Sequence, residues 1–225
     1  MMDWGPIILT FQLAFVTTVI LFIIGVPLAH WLAYSRSKIA PVVETLVSMP
    51  LVLPPTVLGF YLLIAFSPSN WFGEMLDNLF GIKLIFSFLG LVVASVIYSL
   101  PFMVQPIRSG LANLPSSLTE ASSVLGKSRF TTLIKVLIPC IRPSVITGIV
   151  LAFAHTIGEF GVVLMIGGSI PGVTRVASVA IYDEVESLNY AAANKYSIVL
   201  FVVCFAILLT VFLVNRGQSK QNWKL

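Results

Sequence analysis

Apolar residues run along this chain in long blocks, and the polar positions gather into short islands between them. The blocks at 6–34, 46–66, 85–107, 141–166 and 196–214 each approach or exceed the roughly 20 apolar residues that carry an α-helix across a bilayer. The pattern predicts an all-α integral membrane protein with five crossings and a single membrane domain over 1–225. A further apolar stretch, 173–193, is interrupted by Asp183, Glu184 and Glu186. Carboxylates facing lipid are costly, so it is expected to form an external re-entrant or interfacial segment, about 171–193, rather than a sixth crossing. The connection 67–83 carries Trp71, Phe72, Met75, Leu76, Leu79 and Phe80 at helical spacing, which predicts an aromatic-rich helix lying on the membrane surface.

Composition agrees with this picture. The chain is 58% hydrophobic and 10% charged, with a mean hydropathy of +1.01, whereas a soluble domain carries about 25% charged residues. The first block is too long for the apolar core of a secretory signal and is preceded by Met1-Met2-Asp3-Trp4 rather than a basic stretch, so it is expected to be retained.

Charge orients the five crossings. With the N-terminus external, one side collects Arg36, Lys38, Arg108, Lys127, Arg129, Lys135, Arg142, Arg216, Lys220 and Lys224, and the other only Lys83, Arg175 and Lys195. Ten cations against three make the first side cytoplasmic, with the C-terminus there as well. Asp3, Glu74, Asp77, Asp183, Glu184 and Glu186 then fall outside. The formal net charge of +4 is ordinary topology charge and calls for no nucleic acid. Cys140 and Cys204 lack metal or disulfide spacing and read as small packing residues.

Prolines interrupt the crossings. Pro50, Pro54 and Pro55 lie in the second block, Pro101 and Pro106 in the third, and each removes a backbone donor and crowds the preceding turn. Carbonyls freed in this way must face protein or a wet cavity, which makes Pro54, Pro55 and Thr56 candidate walls of a translocation path. In the fourth block, His155 and Glu159 stand one helical turn apart, and ionisable groups inside a membrane are candidates for function. Their position predicts either a mutual pair or a gate near the external interface.

The longest cytoplasmic island, about 108–139, has its own architecture. Ser117-Leu118-Thr119-Glu120 has the spacing of a capping box and predicts a helix start. Leu118, Ala121, Ser122 and Leu125 then share a face that is small at its middle, open to close approach by another protein. Gly126 permits a sharp turn, and Phe130, Leu133, Ile134 and Leu137 continue towards Pro139. Two short helices meeting at a glycine are predicted.

At these residues the chain resembles the permease subunits of ATP-binding-cassette importers. Their cytoplasmic loop reads Glu-Ala-Ala, three residues, Gly, nine residues, Ile, one residue, Leu-Pro, and Glu120-Ala121-Ser122, Gly126, Val136 and Ile138-Pro139 occupy those spacings. Ser122, Val136 and Ile138 depart from the pattern and preserve size or character. The resemblance implies a type I importer permease fold with a cytoplasmic coupling helix, docking through Leu118, Glu120, Ala121, Ser122, Leu125, Gly126 and Pro139 into a groove of a separate ATPase subunit. Within that superfamily, Pro50-Leu51-Val52-Leu53-Pro54-Pro55, Ile157-Gly158-Glu159-Phe160-Gly161 and Ile170-Pro171-Gly172-Val173-Thr174-Arg175 resemble the molybdate-type permeases, and sulfate permeases share much of the pattern. The resemblance implies an oxyanion importer for molybdate, with tungstate and sulfate as alternatives. It also implies a homodimer in the cell membrane, two ATPase subunits and an external oxyanion-binding protein.

A second motif overlaps the first. Ala121 to Ser128 reads like a phosphate-binding loop with its first glycine replaced, but such a loop needs a buried strand before it and an α/β domain around it, and the sequence offers neither. ATP and Mg are therefore expected on the partner ATPase, with no cofactor, metal or catalytic residue in this chain. A membrane hydrolase would need a nucleophile with a base or a set of zinc ligands, whereas only His30 and His155 are present and no His-Glu-x-x-His occurs. An ion-coupled carrier is the stronger rival class, but it calls for membrane acids beyond Glu159 and leaves the helix-glycine-helix island unexplained.

Overall fold

The computed structural model describes residues 2–219, all of whose regular elements are helical. Lys220 and Lys224, two of the cations used to orient the chain, lie outside the described residues. Three helices are long and apolar enough to cross a membrane: α1 (Gly5–Tyr34), α5 (Phe88–Ala112) and, through its segment Tyr190–Thr210, α12 (Tyr190–Ser219). Two more crossings are bent. The run of α2 (Ala40–Ser48) and a 3-10 turn (Met49–Leu51) meets α3 (Pro55–Phe66) at 112°, and Arg129–Cys140 meets α9 (Arg142–Gly158) at 86°. With each bent pair taken as one crossing, the count reaches the expected five.

The bend between α2 and α3 follows from Pro54 and Pro55. Pro54 adopts φ −55° and ψ 135°, outside the helical range, and α3 restarts with Pro55 in its first turn, where a missing N–H costs nothing. α4 (Trp71–Phe80) is the helix expected in the connection 67–83, and it leaves Trp71, Leu79 and Phe80 exposed.

The centre of the molecule is the packing of α1, α5 and α9. α1 and α5 run parallel: Leu9 and Leu13 share a buried cluster with Leu91 and Val92, and the Tyr34 hydroxyl donates to the Leu111 carbonyl at 3.2 Å. α9 runs antiparallel to α5, with Gly110 against Ser144 at one end and Ser99 bonded to His155 and Thr156 at the other. Leu21, Met103, Ile107, Leu137 and Ala152 fill the core between them. The Tyr196 hydroxyl donates to the Asp3 carbonyl at 2.9 Å and sets the start of α12 beside the start of α1.

The fourth apolar block departs from expectation. In place of one helix over 141–166, α9 stops at Gly158, and the chain passes through Glu159 in an extended conformation (φ −68°, ψ 129°). It then restarts as α10 (Gly161–Gly167). The Ser178 hydroxyl holds the break open by donating to the Glu159 carbonyl at 2.6 Å. α10 lies parallel to α3: a Cβ built on Gly161 would stand 2.7 Å from the Pro55 Cβ, and one on Gly59 2.8 Å from the Met165 Cβ. Gly161 is therefore required by close approach rather than by a turn.

The stretch 173–193 contributes α11 (Ala177–Glu186). Its 10 residues reach only about 15 Å at 1.5 Å per residue, half the hydrocarbon thickness. Ala177, Val179 and Ala180 are buried, and the Ala177 N–H donates to Thr10 Oγ1 of α1 at 2.8 Å. The short helix packs back onto the bundle through these contacts. Arg175 beside it pairs with Asp183 at 2.9 Å and Glu184 at 3.5 Å.

Candidate functional site

Two sites expected from sequence lie at different levels of the bundle. At the end where α1 finishes and α5 runs out, α6 (Ser117–Val124) is followed by Gly126 and then by α7 (Arg129–Thr132), a π-helical turn (Leu133–Leu137) and α8 (Ile138–Cys140). Gly126 has φ +69°, the left-handed region that L side chains disfavour, and this reverses the chain between the two helices. The predicted helix-glycine-helix unit is present.

Its N-terminus differs from expectation. The cap is Ser116 rather than Ser117, Ser116 is itself in helical conformation, and its side chain makes no capping bond, so Ser117 and Glu120 form no capping box. The Thr119 hydroxyl instead donates to the Ser116 carbonyl at 2.7 Å. A side-chain cap does occur on the second helix, where Ser128 Oγ accepts from the Thr131 N–H at 3.2 Å. Ser128 was a capping residue type immediately after the turn, a signal the P-loop-like reading of the same residues obscured. That lookalike, Ala121 to Ser128, consists of one helix, a glycine turn and the start of the next, with no strand before it.

The face shared by Leu118, Ala121, Ser122 and Leu125 splits in two. Ser122 is buried and bonded to Thr132 at 2.6 Å, and Leu118 packs against the core, whereas Ala121 and Leu125 are exposed. All four still line one groove of about 280 Å³, bordered by Lys127 and Lys135. Glu120 and Pro139 are exposed on the same unit, and so are the large apolar residues Val124, Leu125 and Phe130, at 87%, 73% and 73% exposure. The result is an apolar knob-and-groove surface that no other part of the described residues covers.

Midway along the bundle, the two broken helices enclose a cleft of about 430 Å³ lined by Pro55, Thr56, Tyr98, His155, Glu159 and Gly161, among others. Pro54 shapes it through the bend but does not line it. His155 and Glu159 share the cleft without pairing. His155 Nδ1 instead lies 3.0 Å from Ser99 Oγ, which is also 3.0 Å from Thr156 Oγ1, and the ring stacks on Phe102 at 3.9 Å with Tyr98 at 4.8 Å. Imidazole and aromatics thus fix one wall.

Glu159 is 4% exposed and the Ser95 hydroxyl of α5 faces its carboxylate, although neither group makes a hydrogen bond of ordinary length and angle among the described residues. Of the two expectations for these residues, the pair does not form because of the helix break: Glu159 belongs to the extended link, so the turn that would align it with His155 is never completed. Ser95, Tyr98, Ser99, Phe102 and Ser178 escaped the sequence reading. Hydroxyls recurring within an otherwise apolar α5 were the available signal. Among the described residues no three His, Cys, Asp or Glu side chains gather to hold a metal.

Comparison with known proteins gives these sites a context. Residues 22–218 match the family described as binding-protein-dependent transport system inner membrane component. The chain is 44% identical over 217 residues, 96% of either chain, to the molybdenum transport system permease protein ModB of Azotobacter vinelandii. It is 34% identical to the putative molybdenum transport system permease protein YvgM of Bacillus subtilis (strain 168), over 92% of this chain and 91% of that one. The sulfate transport system permease protein CysT of Escherichia coli (strain K12) is 32% identical, over 92% of this chain and 73% of that one. Among solved structures, an inward-facing MetNI methionine ABC transporter aligns with a TM-score of 0.71 at 18% identity, over 94% of each chain. A bacterial alginate ABC transporter in complex with its alginate pentasaccharide-bound periplasmic protein aligns with a TM-score of 0.75 at 20% identity, over 96% of this chain and 79% of that one. Fold, helical breaks and sequence therefore converge: the chain belongs to the family of binding-protein-dependent transport system inner membrane components, the membrane-spanning permeases of ABC importers.

Proposed function

We propose that this chain is the permease subunit of an ATP-driven importer for a tetrahedral oxyanion, molybdate in the first place. The observation that carries the proposal is its 44% identity to a molybdenum permease over nearly the whole chain. Sulfate is the second reading, favoured by 32% identity to a sulfate permease; tungstate shares the chemistry of both. The subunit works as a homodimer with two ATPase subunits, which bind ATP and Mg, and receives the anion from an external binding protein. Its N-terminus is external and its C-terminus cytoplasmic, because the helix pair and the end of α1 carry Arg36, Lys38, Lys127, Arg129, Lys135 and Arg142 while Asp3, Asp183, Glu184 and Glu186 stand at the opposite end.

The two sites divide the work. The knob of Val124 and Leu125 with the groove behind it engages the ATPase, and Gly126 transmits its closure to α7, α8 and α9. The mid-bundle cleft is the passage. It presents the Thr56 and Tyr98 hydroxyls and the N-terminal end of α3, with no lysine or arginine among the described residues that line it. A neutral donor set suits a path, since a dianion must be accepted without being trapped. Ionised, Glu159 would repel such an anion, and it is assigned to gating or support of the break rather than to ligation. Uptake into vesicles holding the assembled importer and its binding protein, with molybdate, tungstate and sulfate in competition, tests the substrate. ATP-dependent uptake of molybdate resistant to excess sulfate is the expected result; preference for sulfate selects the second reading, and uptake driven by an ion gradient without ATP rejects both.

A further inference from the structure

A pocket of about 350 Å³ lies between the last turns of α1 and the helix pair, lined by His30 and Tyr34 of α1, Thr119 and Ser123 of α6, and Lys127 and Arg129 after the glycine turn. Its charge is one-sided. Neither Lys127 nor Arg129 makes an ion pair among the described residues, and no carboxylate lines the pocket, although Arg108 at the same end of the bundle is paired with Glu44 at 2.7 Å. Two cations and two hydroxyls around a cavity form a donor set for an anion bearing several acceptor oxygens.

Depth identifies the source of that anion. α1 has 30 residues, about 45 Å at 1.5 Å per residue, against a hydrocarbon core of about 30 Å. Its last turns therefore emerge into the headgroup layer, where Trp31 and Tyr34 stand 40% and 39% exposed, as aromatic residues of an interfacial belt do. The His30 and Tyr34 rings, 5.1 Å apart, make the membrane-side wall. Lys127 and Arg129 line the pocket together with this wall, Lys127 also bordering the groove of α6, whereas the exposed apolar pair Val124 and Leu125 takes no part in the lining.

We propose that this pocket seats the phosphate group of an anionic phospholipid of the adjoining leaflet, gripped by Lys127 and Arg129 and hydrogen-bonded by Thr119 and Ser123. The bound lipid ties the end of α1 to the helix pair on either side of Gly126. The proposal rests on the functional reading only in placing this end at the inner leaflet; lipid retention is measured without transport.

The test uses the assembled importer in nanodiscs of phosphatidylcholine with or without phosphatidylglycerol, with native mass spectrometry counting retained phosphatidylglycerol. Each pocket cation removed is expected to weaken retention about fivefold, and Lys127→Gln with Arg129→Gln about thirtyfold. Arg36→Gln with Lys38→Gln removes equal charge from the same end outside the pocket and is expected to leave the count unchanged. Ser123→Phe fills the cavity while keeping both cations, and is expected to lower retention if the pocket itself is the seat. Equal losses from both charge pairs, or full retention by Ser123→Phe, overturn the proposal in favour of general surface attraction. Displacement of the lipid by millimolar inorganic phosphate would make the source a free anion. Loss of the ATPase by Lys127→Gln with Arg129→Gln, with lipid retention unchanged, would assign the cations to the protein partner instead.

Discussion

Ser122 Oγ lies 2.6 Å from Thr132 Oγ1, joining the two helices of the cytoplasmic unit across the Gly126 turn. Both residues are buried, at 5% and 7% exposure, so the bond is shielded from water. It stands where the family pattern carries a second alanine, and it makes the unit a clamped hairpin rather than two hinged rods. Ser122→Ala and Thr132→Val are each expected to cost about 1 kcal/mol. A double-mutant cycle read by thermal unfolding should return a coupling of about 1 kcal/mol. Additive losses would mean that the two hydroxyls are not coupled.

Gly126 separates two causes that sequence alone merges. A Cβ there meets nothing within 4 Å, so bulk is tolerated inside the chain, and only the left-handed φ of +69° resists substitution. Gly126→Asn, a residue that enters this conformation readily, is expected to retain uptake. Gly126→Trp is expected to insert normally, lose about 1–2 kcal/mol of local stability, and abolish stimulated ATP hydrolysis together with uptake. Normal ATP-driven uptake by Gly126→Trp would remove this unit from the coupling role.

Glu120 makes no capping bond, so Glu120→Ala is expected to leave the melting temperature of the isolated permease unchanged. Any loss of ATPase stimulation by that variant then reports a contact with the partner. A fall in stability of about 1 kcal/mol, the usual worth of a cap, would show that the capping box forms after all.

Glu159→Gln keeps shape and removes the acid. Because the carboxylate is buried with the Ser95 hydroxyl facing it and no hydrogen bond of ordinary geometry, the neutral isostere is expected to equal the parent in thermal stability or exceed it by about 1 kcal/mol. Uptake should persist with KM little changed, since a carboxylate is no ligand for an oxyanion. Collapse of uptake in a well-assembled variant would give the acid a direct part in transport.

The orientation is checked by labelling. In a background with Cys140→Ser and Cys204→Ser, Asp3→Cys is expected to react with an impermeant maleimide from outside, and Lys220→Cys only after permeabilisation. Equal external reactivity would require a sixth crossing, for which α11 with its 10 residues is too short.

What was legible in the sequence was set by local chemistry. Continuous apolar blocks located α1 to within one residue and α5 and α12 to within about two turns at either end, and adjacent prolines announced the break before α3 because neither residue can donate within a helix. The glycine turn was visible because glycine enters the left-handed region at little cost. The break at Glu159 was not, because nothing in the chain forbids a helix through Glu159 and Phe160; it is maintained by Ser178, 19 positions away, bonded to the Glu159 carbonyl. His155 misled in a similar way. One turn of helix suggested Glu159 as its partner, whereas its hydrogen bond goes to Ser99, 56 positions distant, on an antiparallel neighbour. Spacing reports neighbours along one helix and is silent about the helix opposite.

The contact of Pro55 with Gly161 bears on how this protein can change over generations. Each residue sits beside an interruption in its own helix, and each interruption is sheltered by the other. A side chain acquired at position 161 has no room while proline occupies 55, and a larger residue at 55 would press on the restart of α10. The two codons are therefore expected to drift as a pair, with variants harmful singly and tolerated jointly, so that a lineage altering one break inherits a constraint on the other.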